Sequence, residues 1–365
     1  MRKKLKIATF VASEVPFPVP KDFKEIYAPV EVALSVAEGL AKKGHEVLFY
    51  GPIGSQSKIC KVREVKIVPL YKNEILKSPE VKRAKEREKI FYLFDQYIVS
   101  QIFKENFKKE FDIIHIHPVD RVLPFALLTK TPIVYTLHDP VYSWKAKIFK
   151  MYQTKNQYFI SISDAQRKPA PNLNWAGTVY NGIDLNLFSF NPNPKNYFLF
   201  TGRILPKKGP HLAIKAAVKA KENLVIAGAP RSGKFWEKEI KPFLKRKNIK
   251  YVGFLSQEKL PKFYQEAKAL LSPIQWEEPF GLTFIESMAC GTPVIAFDRG
   301  SAREVINNGK TGFVVKNIEE MIEAIKKIDQ IKREDCRAWV EKNFTIERMV
   351  NDYEKVFYQI IRKGS

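Results

Sequence analysis

The sequence predicts an α/β protein made of two doubly wound parallel-sheet domains, and three observations carry that prediction. Short apolar runs alternate with longer helical patterns along the chain, the alternation restarts after a helix-breaking stretch, and 365 residues suffice for two cores at about 150 residues each. Hydrophobic residues make up 45% and charged residues 28%, which places the chain among ordinary globular proteins rather than disordered ones.

The elements follow in order. The start, MRKKLKIATFVASEV, joins a basic head to an apolar run, but Glu14 interrupts the run and no small-residue cleavage pattern follows. Ile7, Phe10 and Val11 therefore read as part of a buried strand over 6–12. Further strands are predicted near 46–50, 65–70, 112–117, 132–137, 157–161 and 177–180, and a second set near 197–201, 223–227, 249–252, 269–272, 293–297 and 312–315. Between the sets, NGIDLNLFSFNPNPKNY is rich in Asn and carries Pro192 and Pro194, so it reads as a linker. The final segment places Ile346, Met349, Val350, Tyr353, Val356, Phe357 and Ile360 at helical spacing and needs an apolar partner. The expected division is 1–187 with 347–365 returning to it, and 188–346 as the second domain.

Several classes of protein lose support. No stretch approaches the roughly 18 apolar residues of a membrane span. Cys60, Cys290 and Cys336 are odd in number and lack metal-ligand spacing, which argues against a disulfide framework or a zinc site and for a reducing cytoplasm. No two glycines stand as Gly-x-Gly, so the dinucleotide fingerprint is missing, and no Asp-x-Asp is present to cage a metal-bound phosphate. Gly228 to Lys234 has the spacing of a phosphate-binding P-loop, but Phe235 stands where Ser or Thr should hold Mg²⁺, and Pro230 removes a cradling amide. The net charge of +23 favours anionic partners, yet no RNA- or DNA-binding motif accompanies it.

Open α/β sheets bind ligands at the carboxyl ends of their strands. There, LLSPIQWEEPFGLTFIESMACGTPVIAF places Pro279 and Gly281 in a loop, then a helix over 282–289. The first amides of a helix and its dipole suit an anion, so Gly281, Leu282 and Thr283 can hold a diphosphate. Glu278 and Glu286 bracket this point. On the residues alone, a helix-start charge at Glu278 and a solvated Glu286 remain the alternative. TGRILPKKGPHLAIKAA adds Arg203, Lys207 and Lys208 between a strand end and a helix beginning near Pro210, where a guanidinium and ammonium groups can replace a divalent ion. In the first half, His115, His117, His138 and Asp139 sit at predicted strand ends.

The segments GRILPKKGPHLAI, ALLSPIQWEEPFGLTFIESMACGTPVIAFDRGSAREVI and NGKTGFVV resemble the donor domain of retaining family 4 glycosyltransferases of the GT-B fold, in order and spacing over nearly the whole chain. ISISDAQRKPAPNLNWAGTVYNGID resembles the branch that includes the transferases of avilamycin-type oligosaccharide biosynthesis. The resemblance implies metal-independent transfer from a nucleoside-diphosphate sugar, a UDP-sugar before GDP-mannose, to a glycan, lipid-linked or small-molecule hydroxyl, with no further cofactor. By it, Arg203 and Lys208 bind the diphosphate, Glu286 the ribose, and Glu278 and His138 the transferred sugar. Gly253 and Phe254 lie near the base, while Gly281, Leu282 and Thr283 hold the sugar and distal phosphate. His117, Asp139 and Glu31 fall on the acceptor side. One departure stands out: relatives carry Gly-Gly-x-Glu where this chain has Ala28-Pro29-Val30-Glu31, and neither Ala nor Pro takes a positive φ readily.

Two rivals differ in what they need. A sugar-nucleotide epimerase or hydrolase shares the architecture but not the Arg-Lys and Glu-x7-Glu set, and a basic nucleic-acid-binding protein would need a recognition motif. The stretch from Pro140 to Ser163 lacks acidic residues and interleaves Lys145, Lys147, Lys150 and Lys155 with Tyr142, Trp144, Phe149 and Tyr152. That composition suits an acceptor entrance with peripheral contact to an anionic membrane, or else a solvated helix whose aromatics belong to the core. The mixed-charge run 82–89 reads as a salt-bridged helix face.

Overall fold

The computed structural model describes residues 3–23, 27–82, 84–108, 110–229 and 233–364. The elements run β1 (Lys6–Phe10), α1 (Ala28–Lys42), β2 (Glu46–Gly51), β3 (Lys61–Glu64), α2 (Ala84–Asn106), β4 (Ile113–Ile116), α3 (Val119–Ala126), β5 (Ile133–Thr136), α4 (Ser143–Tyr152), β6 (Gln157–Ser161), α5 (Asp164–Arg167) and β7 (Trp175–Thr178). They continue with β8 (Phe198–Thr201), α6 (Pro210–Ala220), β9 (Leu224–Ala227), β10 (Ile249–Gly253), α7 (Leu260–Glu266), β11 (Leu270–Ser272), α8 (Leu282–Ala289), β12 (Val294–Phe297), α9 (Ala302–Val305), β13 (Gly312–Val315), α10 (Ile318–Lys326), α11 (Arg333–Asn343) and α12 (Ile346–Gly364).

Two compact units result. The first holds Met1–Ile162, Arg167–Tyr180 and Ile346–Ser365; the second holds Ser163–Gln166 and Asn181–Thr345. The chain passes between them at Tyr180–Asn181, ahead of the expected boundary after Leu187. Backbone bonding explains the position: Val179 N–H still donates to Ser161 of the first sheet, whereas Ile183 N–H already donates to Phe344 of the second unit.

Each unit is built on one sheet whose strands pair in parallel. The first has the order β3-β2-β1-β4-β5-β6-β7 and the second β10-β9-β8-β11-β12-β13. Central strands read as continuous apolar runs because helices cover both faces, and Ile113, Ile114, Ile133 and Val134 are all fully buried. The third strand departs from expectation. It lies over Lys61–Glu64, not 65–70, and most of its side chains are exposed. An edge strand with one partner needs no apolar run. The apolar residues that suggested a strand instead lead into a short turn of helix at Leu70–Lys72, with Leu70 buried. Of the mixed-charge run, Glu86 and Lys89 pair at 3.1 Å, while Arg83 lies outside the described residues.

Helix α12 belongs to the first unit, where it packs on α1. Met349, Val350, Tyr353, Val356, Phe357 and Ile360 are buried, each worth roughly 1.5–3 kcal/mol relative to exposure. Close approach depends on Gly39 of α1, since a Cβ there would stand 2.3 Å from Val350 Cγ2. Glu354 anchors the helix by bonding Lys43 Nζ at 2.6 Å and His45 Nε2 at 3.0 Å.

Candidate active site

In the second unit the strand order reverses between β8 and β11. Loops leaving neighbouring strands in opposite directions open a crevice at such a point. The loop after β8 carries Gly202, Arg203, Lys207 and Lys208; the loop after β11 carries Trp276, Glu278 and Gly281. Backbone and side chain join the two loops: Gln275 N–H donates to Lys207 O at 2.9 Å, and Gln275 Nε2 to Pro206 O at 3.0 Å. Gly209 makes this possible. Its φ is +77°, and a Cβ would stand 2.1 Å from Pro273 O.

The joined loops bring Lys208 and Glu278 together at 2.6 Å, with their side chains only 20% and 13% exposed. Trp276 Nε1–H donates to the same carboxylate oxygen at 2.9 Å. Above the indole lie Lys207 Nζ at 4.1 Å and Lys208 Nζ at 4.7 Å, both within cation–π range. Glu278 thus sits in a cationic setting and is not simply a helix-start charge. Its backbone is fixed as well, since Ser301 N–H donates to Glu278 O at 2.9 Å. Arg203 is exposed.

Helix α8 starts where the sequence places it. Gly281 precedes it at φ +83°, and the amides of Leu282 and Thr283 fall in the first turn, where a helix has no internal acceptor. Glu286, one turn further on, is part-buried. Burial raises its carboxyl to about 7, and Tyr264 Oη, fully buried on α7, donates to it at 2.8 Å. Gly228 directly follows β9, and Gly253 ends β10. Gly228 N–H bonds Gly253 O at 2.8 Å, and a Cβ on Gly228 would stand 2.0 Å from Gly202 O, whereas no atom lies within 4 Å of one on Gly253. A glycine thus stands at or just beyond the end of each of three neighbouring strands, β8, β9 and β10, with open space above Gly253, followed by the half-buried Phe254. In the P-loop-like run, Pro230, Arg231 and Ser232 lie outside the described residues.

The first unit carries a histidine cluster at the ends of β4 and β5. His117 Nδ1 and His138 Nε2 are 2.7 Å apart with the rings stacked, and His115 Nε2 bonds Thr136 Oγ1 at 2.9 Å. Burial lowers His138 to about 4, although neighbouring Asp139 opposes the change. Burial also takes His115 to about 3 and His117 well below the usual imidazole range, so all three are neutral near pH 7. Asp139 is exposed. Glu31 lies in the first turn of α1, where burial raises its carboxyl against a hydrogen bond from Val19 N–H. Helix α1 begins at Ala28 with Tyr27 at φ −110°, so Ala28 and Pro29 form a regular helix start.

The sequence alone does not single out Tyr264 or Trp276. Trp276 stands two residues before Glu278, a local hint, but no local signal links Tyr264 to Glu286. Among the described residues, no group of three His, Cys, Asp or Glu could hold a metal ion, and no helix is long and apolar enough to cross a membrane.

Comparison with known proteins gives a consistent picture. Residues 186–344 match the family model described as Glycosyl transferases group 1, and residues 30–187 that described as Glycosyltransferase Family 4. A putative glycosyltransferase of Bacillus subtilis, YtcC, is 24% identical over 78% of this chain and 82% of its own. Among solved structures, the sucrose-phosphate synthase of Thermosynechococcus elongatus superposes with a TM-score of 0.78 at 18% identity, covering 99% of this chain and 100% of that one. HepE of Anabaena, solved with UDP-glucose, gives a TM-score of 0.69 at 16% identity, covering 97% and 99%. The two parallel-sheet units are those of the GT-B fold.

Proposed function

We propose that this chain, whose two halves match the Glycosyltransferase Family 4 and Glycosyl transferases group 1 models, is a glycosyltransferase that moves a sugar with retention from a nucleoside-diphosphate sugar to a hydroxyl of a glycan, lipid or small-molecule acceptor. A UDP-sugar is favoured as donor, and GDP-mannose comes second; the UDP-glucose held by the Anabaena neighbour supports that order. The observation that carries the reading is the convergence of Lys208, Glu278 and the start of α8 on one switch point, beside three strands with a glycine at or just beyond their ends.

The chemistry follows from charge. Departure of a nucleoside diphosphate builds negative charge on the distal phosphate while the sugar becomes oxocarbenium-like. Arg203, Lys208 and the first amides of α8 are assigned to the phosphates, as preorganised positive charge that needs no divalent ion. An ammonium has three donors, and Glu278 takes one of those on Lys208, so a phosphate oxygen can take another. Lys208 would then link the leaving group to Glu278, which orients the sugar and stabilises its developing positive charge. Glu286, steadied by Tyr264, accepts from the ribose hydroxyls, and Gly253 and Phe254 border the base. His138, being neutral, serves the sugar as a hydrogen-bonding group rather than as a cation, and His117, Asp139 and Glu31 remain assigned to the acceptor side. With the acceptor hydroxyl delivered to the face the diphosphate leaves, a phosphate oxygen takes its proton. The buried thiols of Cys60, Cys290 and Cys336 fit the reducing cytoplasm to which we assign the chain.

The test is product formation from UDP-, GDP-, ADP- and TDP-sugars with glycan, lipid-linked and small-molecule acceptors, in chelator, with the new linkage read by NMR. Retention of anomeric configuration is expected. An inverted product, or a sugar released or epimerised equally fast without any acceptor, would overturn the reading.

A further inference from the structure

Helix α4 presents two apolar faces, and only one is used by the core. Phe149 is buried and stacks on Phe159 with ring centroids 5.7 Å apart, while Ala146 and Tyr152 pack part-buried against the same cluster. On the other side, Trp144, Ile148 and Met151 stand at i, i+4 and i+7, a single stripe of a helix turning about 100° per residue. Trp144 and Met151 are 57% and 72% exposed, and Tyr142, just ahead of the helix, is 50% exposed. The aromatics expected to share one role therefore divide: Phe149 and Tyr152 join the core, whereas Tyr142 and Trp144 join Ile148 and Met151 outside.

The surroundings of the stripe say what it meets. At the same angular step, Lys147 and Lys150 fall on one side of it and Lys145 on the other, with Lys155 exposed just beyond the helix. No acidic residue occurs from Pro140 to Ser163. A protein partner's apolar patch would leave these ammonium groups without counter-charge, and a polyanion would leave the apolar stripe in water. An anionic lipid surface satisfies both: the side chains enter the headgroup–acyl boundary while the lysines extend to the phosphates. Trp and Tyr are suited to that boundary, having an apolar body and one polar atom.

We infer that α4 is a membrane-docking helix, inserting Trp144, Ile148 and Met151 into an anionic bilayer surface with Lys145, Lys147, Lys150 and Lys155 on the headgroups. The inference goes beyond the assignment of a sugar donor and does not depend on it.

Co-sedimentation of the full chain with phosphatidylcholine vesicles, and with equimolar phosphatidylcholine and phosphatidylglycerol, tests it. Partition onto the anionic vesicles should be at least about tenfold stronger, since each lysine contributes ~1 kcal/mol near such a surface, and it should weaken at about 0.5 M salt. Changing the four lysines to Gln, or Trp144, Ile148 and Met151 together to Ser, should each remove at least about nine-tenths of the binding, with unchanged melting temperature showing that the fold persists. Bromine-labelled acyl chains should quench tryptophan fluorescence in the wild type, and Trp144→Phe should remove the quenching without removing binding. Equal binding to both vesicle types, binding that survives either set of changes, quenching that survives Trp144→Phe, or loss of self-association as the main effect of the Ser variant would each overturn the inference.

Discussion

Glu286→Gln should make the ligand-free protein more stable at alkaline pH while weakening its hold on nucleotide. Burial takes the Glu286 carboxyl from an ordinary 4.5 to about 7. That difference is worth roughly 3 kcal/mol of preference for the protonated form in the folded chain. Because the folded value is the higher one, the penalty is absent below about pH 4.5, grows as pH rises, and is complete above about pH 7. Gln resembles the protonated acid in shape and can still accept from Tyr264 Oη through its amide oxygen. Its advantage over Glu should therefore rise from about 1 kcal/mol at pH 5 to about 3 kcal/mol at pH 8. Urea unfolding of both proteins at the two pH values, followed by a probe in the second unit, measures this. Calorimetric titration with nucleotide at pH 8 should show weaker binding by the variant, since the carboxylate we assign to the ribose hydroxyls has been replaced. A stability difference that does not change with pH, or a variant less stable at pH 8, would refute the placement of a buried, ionisable carboxylate at this point.

Three further outcomes follow from the same geometry. Lys208→Met should lower kcat/KM by about a hundredfold or more and weaken nucleoside-diphosphate binding, whereas Glu278→Gln should lose comparable turnover and keep that binding within a few-fold, a split that steady-state kinetics and titration can read. Gly209→Ala should cost the second unit about 2 kcal/mol or more, measured by urea unfolding, because a Cβ there meets Pro273 O at 2.1 Å and the backbone is at φ +77°. Transfer measured in EDTA should match transfer measured with added Mg²⁺; a loss restored by the metal would contradict the assignment of phosphate charge to Arg203, Lys208 and α8.

The parts of the fold that were legible in the sequence are those whose physics is local. Fully buried parallel strands must be apolar along their length, so IIHI at β4 and IVYT at β5 announce themselves. The edge strand KVRE has no such need, and its neighbour Val65 to Leu70 carried the misleading signal. In the site, Gly281 and the start of α8 were readable because a loop glycine and a helix pattern lie side by side. The role of Tyr264 was not, since it acts on Glu286 from another helix, and only the folded chain brings them within 2.8 Å. Lys208 and Glu278 were each visible, but their pairing depends on two loops 70 residues apart in sequence being joined at Gly209 and Gln275. In α4 the spacing of aromatics alone could not tell the core face from the outer one, because both faces are apolar.

The central claim is that the second unit holds a nucleoside diphosphate at the β8–β11 switch point with charges of its own. Calorimetric titration of UDP, and of GDP, ADP and TDP in parallel, into the chain in the presence of EDTA tests it most directly, using wild type, Arg203→Ala and Lys208→Ala. The account predicts saturable binding of at least one nucleotide by the wild type without divalent metal, weakened at least about tenfold by either substitution. Binding that is absent for all four nucleotides, that requires added metal, or that neither substitution weakens would contradict it.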